Sequence, residues 1–227
     1  LHLCDRRQRQ MCIRDSRYCD FFSAAASAQE KHQYTELLCR EIRSWGRMLR
    51  EKYSVYTIFI GGGTPTCLSA EQLHKIGAAI RESFDCDELT EFTTEANPGT
   101  VMPEHLTVWQ QMGINRVSLG LQSAQNRELQ MLGRIHSYEE FLTTYQMIRQ
   151  SGMDQINIDV MAAIPEQTLE SYQDTLEKIV SLNPEHISSY SLIIEPGTVF
   201  GDWEKNGTLK HLSLIHISEP TRQAEIS

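Results

Sequence analysis

The 227-residue sequence predicts an α/β fold in which parallel strands alternate with outer helices, in the manner of a β/α barrel. Three observations carry that expectation. Strand-like and helix-like segments alternate along the chain with short connections and no hairpin signal, the pattern of βαβ units. A run of glycines, Gly61, Gly62 and Gly63, directly follows the first clear strand. Polar or glycine residues recur at the C-terminal end of strand after strand: Glu95, then Ser118, Gly120 and Gln122, then Asp159, then Ser191. A doubly wound sheet satisfies the alternation equally well. The serial placement at strand ends, where barrel enzymes build their sites, favours the barrel.

The elements follow in order. Residues 24–50 read as a long helix with apolar positions at Tyr34, Leu37, Leu38, Ile42 and Trp45. Residues 56–60 (YTIFI) read as a short buried strand, rich in β-branched and aromatic side chains. The glycines stop it, Thr64-Pro65-Thr66 stiffens the exit, and Ser69-x-x-Gln72 is a capping box for a helix over 69–84. A strand over 89–95 closes at Asn97-Pro98-Gly99, a helix over 103–112 ends at Gly113, and 115–119 is the next strand. Helices over 126–132 and 138–151 precede Gly152 and a strand over 155–161. A turn at 165–168 leads to a helix over 169–182, ended by Pro184, and to a last strand over 186–194.

Composition narrows the function classes. Apolar residues make up 40% of the chain and charged residues 22%, as in a globular protein. The net charge of −9 argues against a general nucleic-acid binder. No apolar run reaches the length of a transmembrane segment and no secretory leader is visible. Six irregularly spaced cysteines do not make a disulfide framework, so a reducing, cytoplasmic setting is expected. Residues 1–16 and 213–227 show no helix or strand period and resemble translated sequencing adapters. They are expected to be foreign or disordered, with the folded core over 17–212.

Several residues could do chemistry. Gly61–Gly63 with the following helix could cradle a ligand, or form a tight turn of any α/β protein; no Gly-Lys-Ser/Thr follows, so this is not a P-loop. Glu95 and Asp159, carboxylates on apolar strands, suit ligand contacts or structural ion pairs. Taken alone, Arg134 is a solvated charge or helix-dipole partner, Gln122 a turn residue, and His136 a local cap rather than a metal ligand. Cys39, Cys67 and Cys86 read as small packing residues. Cys12-x3-Ser16-x2-Cys19 has the spacing of a Cys-x3-Cys-x2-Cys site with serine in the middle place.

Taken together, RYCDFFS, GGGTPT, EANPGT, GINRVSLGLQS, LGRIHS, INIDVMAAIPEQT and SSYSLIIEPGT resemble the radical S-adenosylmethionine (radical SAM) proteins of the oxygen-independent coproporphyrinogen III dehydrogenase type, and more narrowly the HemW-like haem-chaperone branch. The resemblance covers about residues 17–212. It implies a partial (β/α)6 TIM-like barrel whose opening strand and C-terminal domain are missing here. It also implies a [4Fe-4S] cluster and S-adenosylmethionine as cofactors, from which a 5′-deoxyadenosyl radical is released, and haem as possible cargo. Gly62, Gly63 and Thr64 would contact the methionine end, Glu95 its polar groups, and Gln122 would hydrogen-bond the cofactor. Arg134 would meet the carboxylate, Asp159 would accept from the ribose hydroxyls, Tyr18 would lie near the adenine and Ile193 would flank it. Cys19 and Cys12 would hold iron.

Two departures matter. The dehydrogenase branch has a further cysteine two residues after the last cluster ligand, where this chain has Phe21, which favours the chaperone branch. Ser16 stands at the middle ligand position, and a hydroxyl is a poor substitute for a thiolate on iron, so this chain is expected to hold a cluster badly. Haem or porphyrin and haem-accepting proteins are the expected partners. A barrel that binds a phosphorylated metabolite at Gly61–Gly63 would need a phosphate site at a later strand end, and none is visible.

Overall fold

The computed structural model describes residues 16–19 and 26–209. The elements among them are α1 (Ala28–Leu49), β1 (Thr57–Ile60), a 3-10 turn (Pro65–Cys67), α2 (Ala70–Ser83), β2 (Glu91–Ala96), α3 (Pro103–Met112), β3 (Arg116–Gln122), α4 (Asn126–Leu132), α5 (Tyr138–Gln150), β4 (Gln155–Ala162), α6 (Leu169–Ser181), β5 (His186–Ser191) and α7 (Val199–Lys205). The expected alternation is therefore present. The strands form a five-stranded sheet in sequence order, β1 to β5. Parallel registers set Ile60 level with Thr94, Glu95 level with Ser118, and Asp159 level with Ser188.

Local chemistry explains the boundaries. Ser27 caps α1 through a reciprocal box with Glu30, and Ser69 and Gln72 do the same for α2, as the sequence predicts there. Gly113 and Gly133 end α3 and α4 in the left-handed conformation. β3 runs longer than the 115–119 expected, so Gln122 is the last residue of a strand rather than a turn residue. α7, capped by Thr198, lies beyond the elements read from sequence.

By contact density the described chain divides into two compact units. One comprises 26–119 and 144–156. Its core includes Leu73, Ile76, Phe92, Trp109 and Ile148, all 3% exposed or less. Gly46 lets α1 approach α2 closely: a β-carbon there would lie 2.5 Å from both Cβ and the carbonyl oxygen of Ser83. The helical cost of a mid-helix glycine is accepted for that contact.

The expectation of a buried first strand is corrected. β1 sits at the sheet edge with β2 as its neighbour, and Phe59 is 58% exposed. The apolar face of α1 is likewise not packed shut. Leu38, Ile42 and Trp45 line, with Ile58 and Ile60 of β1, a cavity of about 590 Å³. The residues of α1 that are buried are Thr35, Cys39 and Gly46.

The second unit comprises 16–19, 120–143 and 157–209. Leu132, Met161, Ile164, Leu192 and Phe200 form its apolar cluster, and Tyr18 and Trp203 pack against it. No helix among the described residues is long and apolar enough to cross a membrane.

Candidate functional site

In the first unit, the glycine loop and the end of β2 brace one another. The Gly62 N–H donates to Glu95 Oε2 at 2.9 Å, with Gly62 in the left-handed region at φ 85°. Asn97 Nδ2 donates to Thr64 Oγ1 at 2.9 Å, and Thr100 Oγ1 donates to the Asn97 carbonyl at 2.7 Å. The GGGTPT and EANPGT segments are thus one structure. A β-carbon on Gly61 would lie 2.3 Å from Phe59 Cε1 and 2.6 Å from Glu95 Cδ, so the space that glycine leaves there is filled by the chain itself.

In the second unit, four of the predicted residues gather around one that was not predicted. The Tyr190 hydroxyl donates to Gln122 Oε1 at 2.6 Å. Tyr190 is 42% exposed as a residue, but desolvation about its hydroxyl, then the electrostatic influence of Tyr18 and Asp159, push its phenol up, while the Gln122 hydrogen bond and the Arg134 charge pull it down. Tyr190 therefore reports Tyr18, Gln122, Arg134 and Asp159 in one neighbourhood. Gln122 is 6% exposed and left-handed at φ 74°, a conformation that L side chains rarely adopt. Arg134 Nη2 donates to the Gly120 carbonyl at 3.1 Å.

Ile193 lies just beyond β5 and is 68% exposed. His136 is 5% exposed, and its Nε2 donates to the Leu121 carbonyl at 3.2 Å. Burial first, then the Arg134 guanidinium, hold its pKa down to about 4, which keeps the ring neutral. That agrees with a local structural role. Burial likewise raises the thiols of Cys39 and Cys86.

Arg17 fixes the segment that carries Ser16, Tyr18 and Cys19. Its N–H donates to the Leu132 carbonyl at 2.8 Å and its own carbonyl accepts from Phe200 N–H at 2.9 Å. Its guanidinium donates to the Met131 carbonyl at 3.3 Å and lies 5.1 Å from the Trp203 ring centre. Cys19 is a free thiol, half-buried. Cys12 and Phe21 lie outside the described residues. Among the described residues no group of three or more His, Cys, Asp and Glu side chains is placed to hold a metal ion.

The family model of the radical SAM superfamily matches residues 10–179. This chain belongs to the radical SAM superfamily. Its sequence is 38% identical over 193 residues to the heme chaperone HemW of Lactococcus lactis, an alignment covering 85% of this chain and 50% of that protein. It is 36% identical over 191 residues to HemW of Escherichia coli, covering 84% and 50%. Among solved structures, the coproporphyrinogen III oxidase HemN of Escherichia coli matches with a TM-score of 0.82 at 25% identity, covering 93% of this chain and 49% of that one. The chain spans about half the length of the curated relatives it matches.

Membership of the radical SAM superfamily implies a [4Fe-4S] cluster and S-adenosylmethionine. The donor set of the second unit suits the latter: a carboxylate at Asp159, a guanidinium at Arg134 and an amide at Gln122 match a diol, a carboxylate and a mixed donor-acceptor group. The cluster is different. Among the described residues, the motif offers one thiol, Cys19, and the Ser16 hydroxyl, which does not fit a three-thiolate site.

The contacts of Tyr190, Asn97 and Arg17 are not among the roles expected from the sequence. The alternation of His186, Ser188 and Tyr190 along β5 was a signal for the first. Asn97 in an Asn-Pro-Gly turn was a signal for the second.

Proposed function

We propose that this chain is the S-adenosylmethionine-binding core, over 17–212, of a HemW-type haem chaperone of the cytoplasm, acting in haem trafficking or insertion. The observation that carries the cofactor assignment is the gathering of Tyr18, Gln122, Arg134 and Asp159 about Tyr190. In this reading Asp159 accepts from the ribose hydroxyls and Arg134 pairs with the methionine carboxylate. Gln122 donates to the cofactor, Tyr18 lies by the adenine and Ile193 flanks it. The identities of 36–38% to HemW proteins support the chaperone over the dehydrogenase alternative, whose solved member HemN is 25% identical. Haem is the cargo in this reading and haem-accepting proteins are the partners.

The test is binding by the full chain. S-Adenosylmethionine binds the unaltered chain, and Arg134→Ala and Asp159→Ala each weaken it about tenfold when measured well below the Tm of each variant, the size expected for a hydrogen bond to a charged group. A haem titration followed at the Soret band shows saturable binding. Absence of S-adenosylmethionine binding in the unaltered chain overturns the cofactor assignment. Release of CO2 from coproporphyrinogen III moves the reading to the dehydrogenase.

A further inference from the structure

Behind Asp159 runs a relay of hydrogen bonds from β4 to β5. Asn157 and Asp159 are two residues apart on β4 and so share a face of the strand. Asn157 Nδ2 donates to Asp159 Oδ1 at 2.7 Å. The parallel register sets Asn157 level with His186 and Asp159 level with Ser188. From β5, Ser188 Oγ donates to Asn157 Oδ1 at 3.0 Å, and His186 Nδ1 meets the same oxygen. Asn157 is 1% exposed, so its amide must find its partners within the protein.

Chemistry fixes the direction of this relay. A carboxylate can only accept, so the amide face turned to Asp159 must be the NH2 group. The Asn157 oxygen then faces β5, where it accepts from the Ser188 hydroxyl. His186 must carry its hydrogen on Nδ1 to meet the same oxygen. Each partner thereby removes the choice of amide flip from the next.

We propose that Asn157 is the positioning residue of the nucleoside-binding carboxylate: braced from behind by Ser188 and His186, it sets the rotation of the Asp159 carboxylate that meets the hydroxyls of an adenosyl ligand. The proposal rests on the reading of Asp159 as the ribose acceptor. The rotation about the last bond of an aspartate is soft, so an unbraced carboxylate must be ordered by the ligand itself and binds it less well. Asn157 supplies that order in advance.

Asn157→Asp is the informative substitution. It preserves size and the oxygen that Ser188 and His186 contact, and it replaces the donor facing Asp159 by a second carboxylate. Two adjacent carboxylates share a proton as pH falls, and the protonated pair restores a donor. His186 meets the relay directly, and Tyr190 interacts electrostatically with Asp159 as well as with Tyr18 and Arg134; both proteins keep these groups.

The probe is S-adenosylhomocysteine, read by equilibrium dialysis on the full chain from pH 8 to pH 5.5. Asn157→Asp should bind about tenfold more weakly than the unaltered chain at pH 8 and recover toward it at pH 5.5. Ligand-observed saturation-transfer NMR should show its preference for adenosine over 2′,3′-dideoxyadenosine reduced. Ser188→Ala, which leaves Asn157 in place, should lose about threefold in affinity with the same narrowing of preference, and it decides the matter if Asn157→Asp does not fold. Wild-type affinity and preference in both variants, with Arg134→Ala weakened, overturn the inference and leave the S-adenosylmethionine assignment standing. No binding by the unaltered chain overturns both.

Discussion

The Gly62 amide donates to Glu95 Oε2 across 2.9 Å, so the carboxylate at the end of β2 is held by the loop that leaves β1. Glu95 is therefore oriented by the backbone of that loop. The Asn97–Thr64 hydrogen bond repeats the tie one turn further on. Two sequence motifs separated by about thirty residues share one hydrogen-bonded frame, and changes in either should be felt in the other.

Gly61→Ala tests that frame. The new β-carbon would meet Phe59 at 2.3 Å and Glu95 at 2.6 Å, and both must shift. Both atoms are side-chain ends and Phe59 is exposed, so they can swing aside and a destabilisation of about 1 kcal/mol or less is expected, below the range of core overpacking. Gly99→Ala, where nothing lies within 4 Å but φ is 77°, should carry backbone strain alone, about 1 kcal/mol. Urea unfolding of the two variants checks this, and a loss of about 3 kcal/mol at Gly61, as in core overpacking, would show that Phe59 and Glu95 cannot yield.

Tyr190→Phe removes the hydroxyl that holds Gln122 Oε1. Affinity for S-adenosylmethionine should fall about fivefold, the size of one neutral hydrogen bond, with little change in Tm. Calorimetric titration beside a thermal melt separates the two effects. A lower Tm with unchanged affinity would make Tyr190 a packing residue.

His136 makes stability depend on pH. Its folded pKa is about 4 against 6.5 for the free side chain, so between those values the unfolded chain binds the extra proton. This contribution is complete above pH 6.5 and is lost as pH falls toward 4, by about 3 kcal/mol in all. His136→Gln should unfold in urea with a shallower loss of stability from pH 7 to pH 4.5 than the unaltered chain. Parallel curves would show that the ring is already charged in the folded state.

The chain as written should take up little intact [4Fe-4S] cluster when reconstituted without oxygen, because Ser16 stands where a second thiolate is needed beside Cys19. Ser16→Cys completes a Cys-x3-Cys-x2-Cys spacing with Cys12 and Cys19 and should raise iron and sulfide content. Removing Cys19 from that variant should abolish the gain. Near-stoichiometric cluster in the unaltered chain would show that Ser16 does not matter.

Much of this was legible in the sequence because it rests on local rules. Strand and helix periods, the Ser69–Gln72 box and the stops at Gly113 and Gly152 depend on residues within one or two turns of one another. So does the delivery of Glu95 and Asp159 to the C-terminal halves of their strands, since a parallel βαβ chain sends every strand the same way.

Other features depend on partners far apart in the chain, and only the tertiary structure decided them. Phe59 is exposed because β1 came to lie at the edge of the sheet, which its apolar composition cannot reveal. Gln122 became a strand end with positive φ, tied to Tyr190 sixty-eight residues later. The brace of Asn157 by Ser188 exists because the β4–β5 register sets those faces side by side, and a slip of one residue would have turned Asn157 to the opposite face. A short-range pattern can place a side chain at a strand end. Which atom that side chain then meets is set by register and packing, and those are properties of the whole fold.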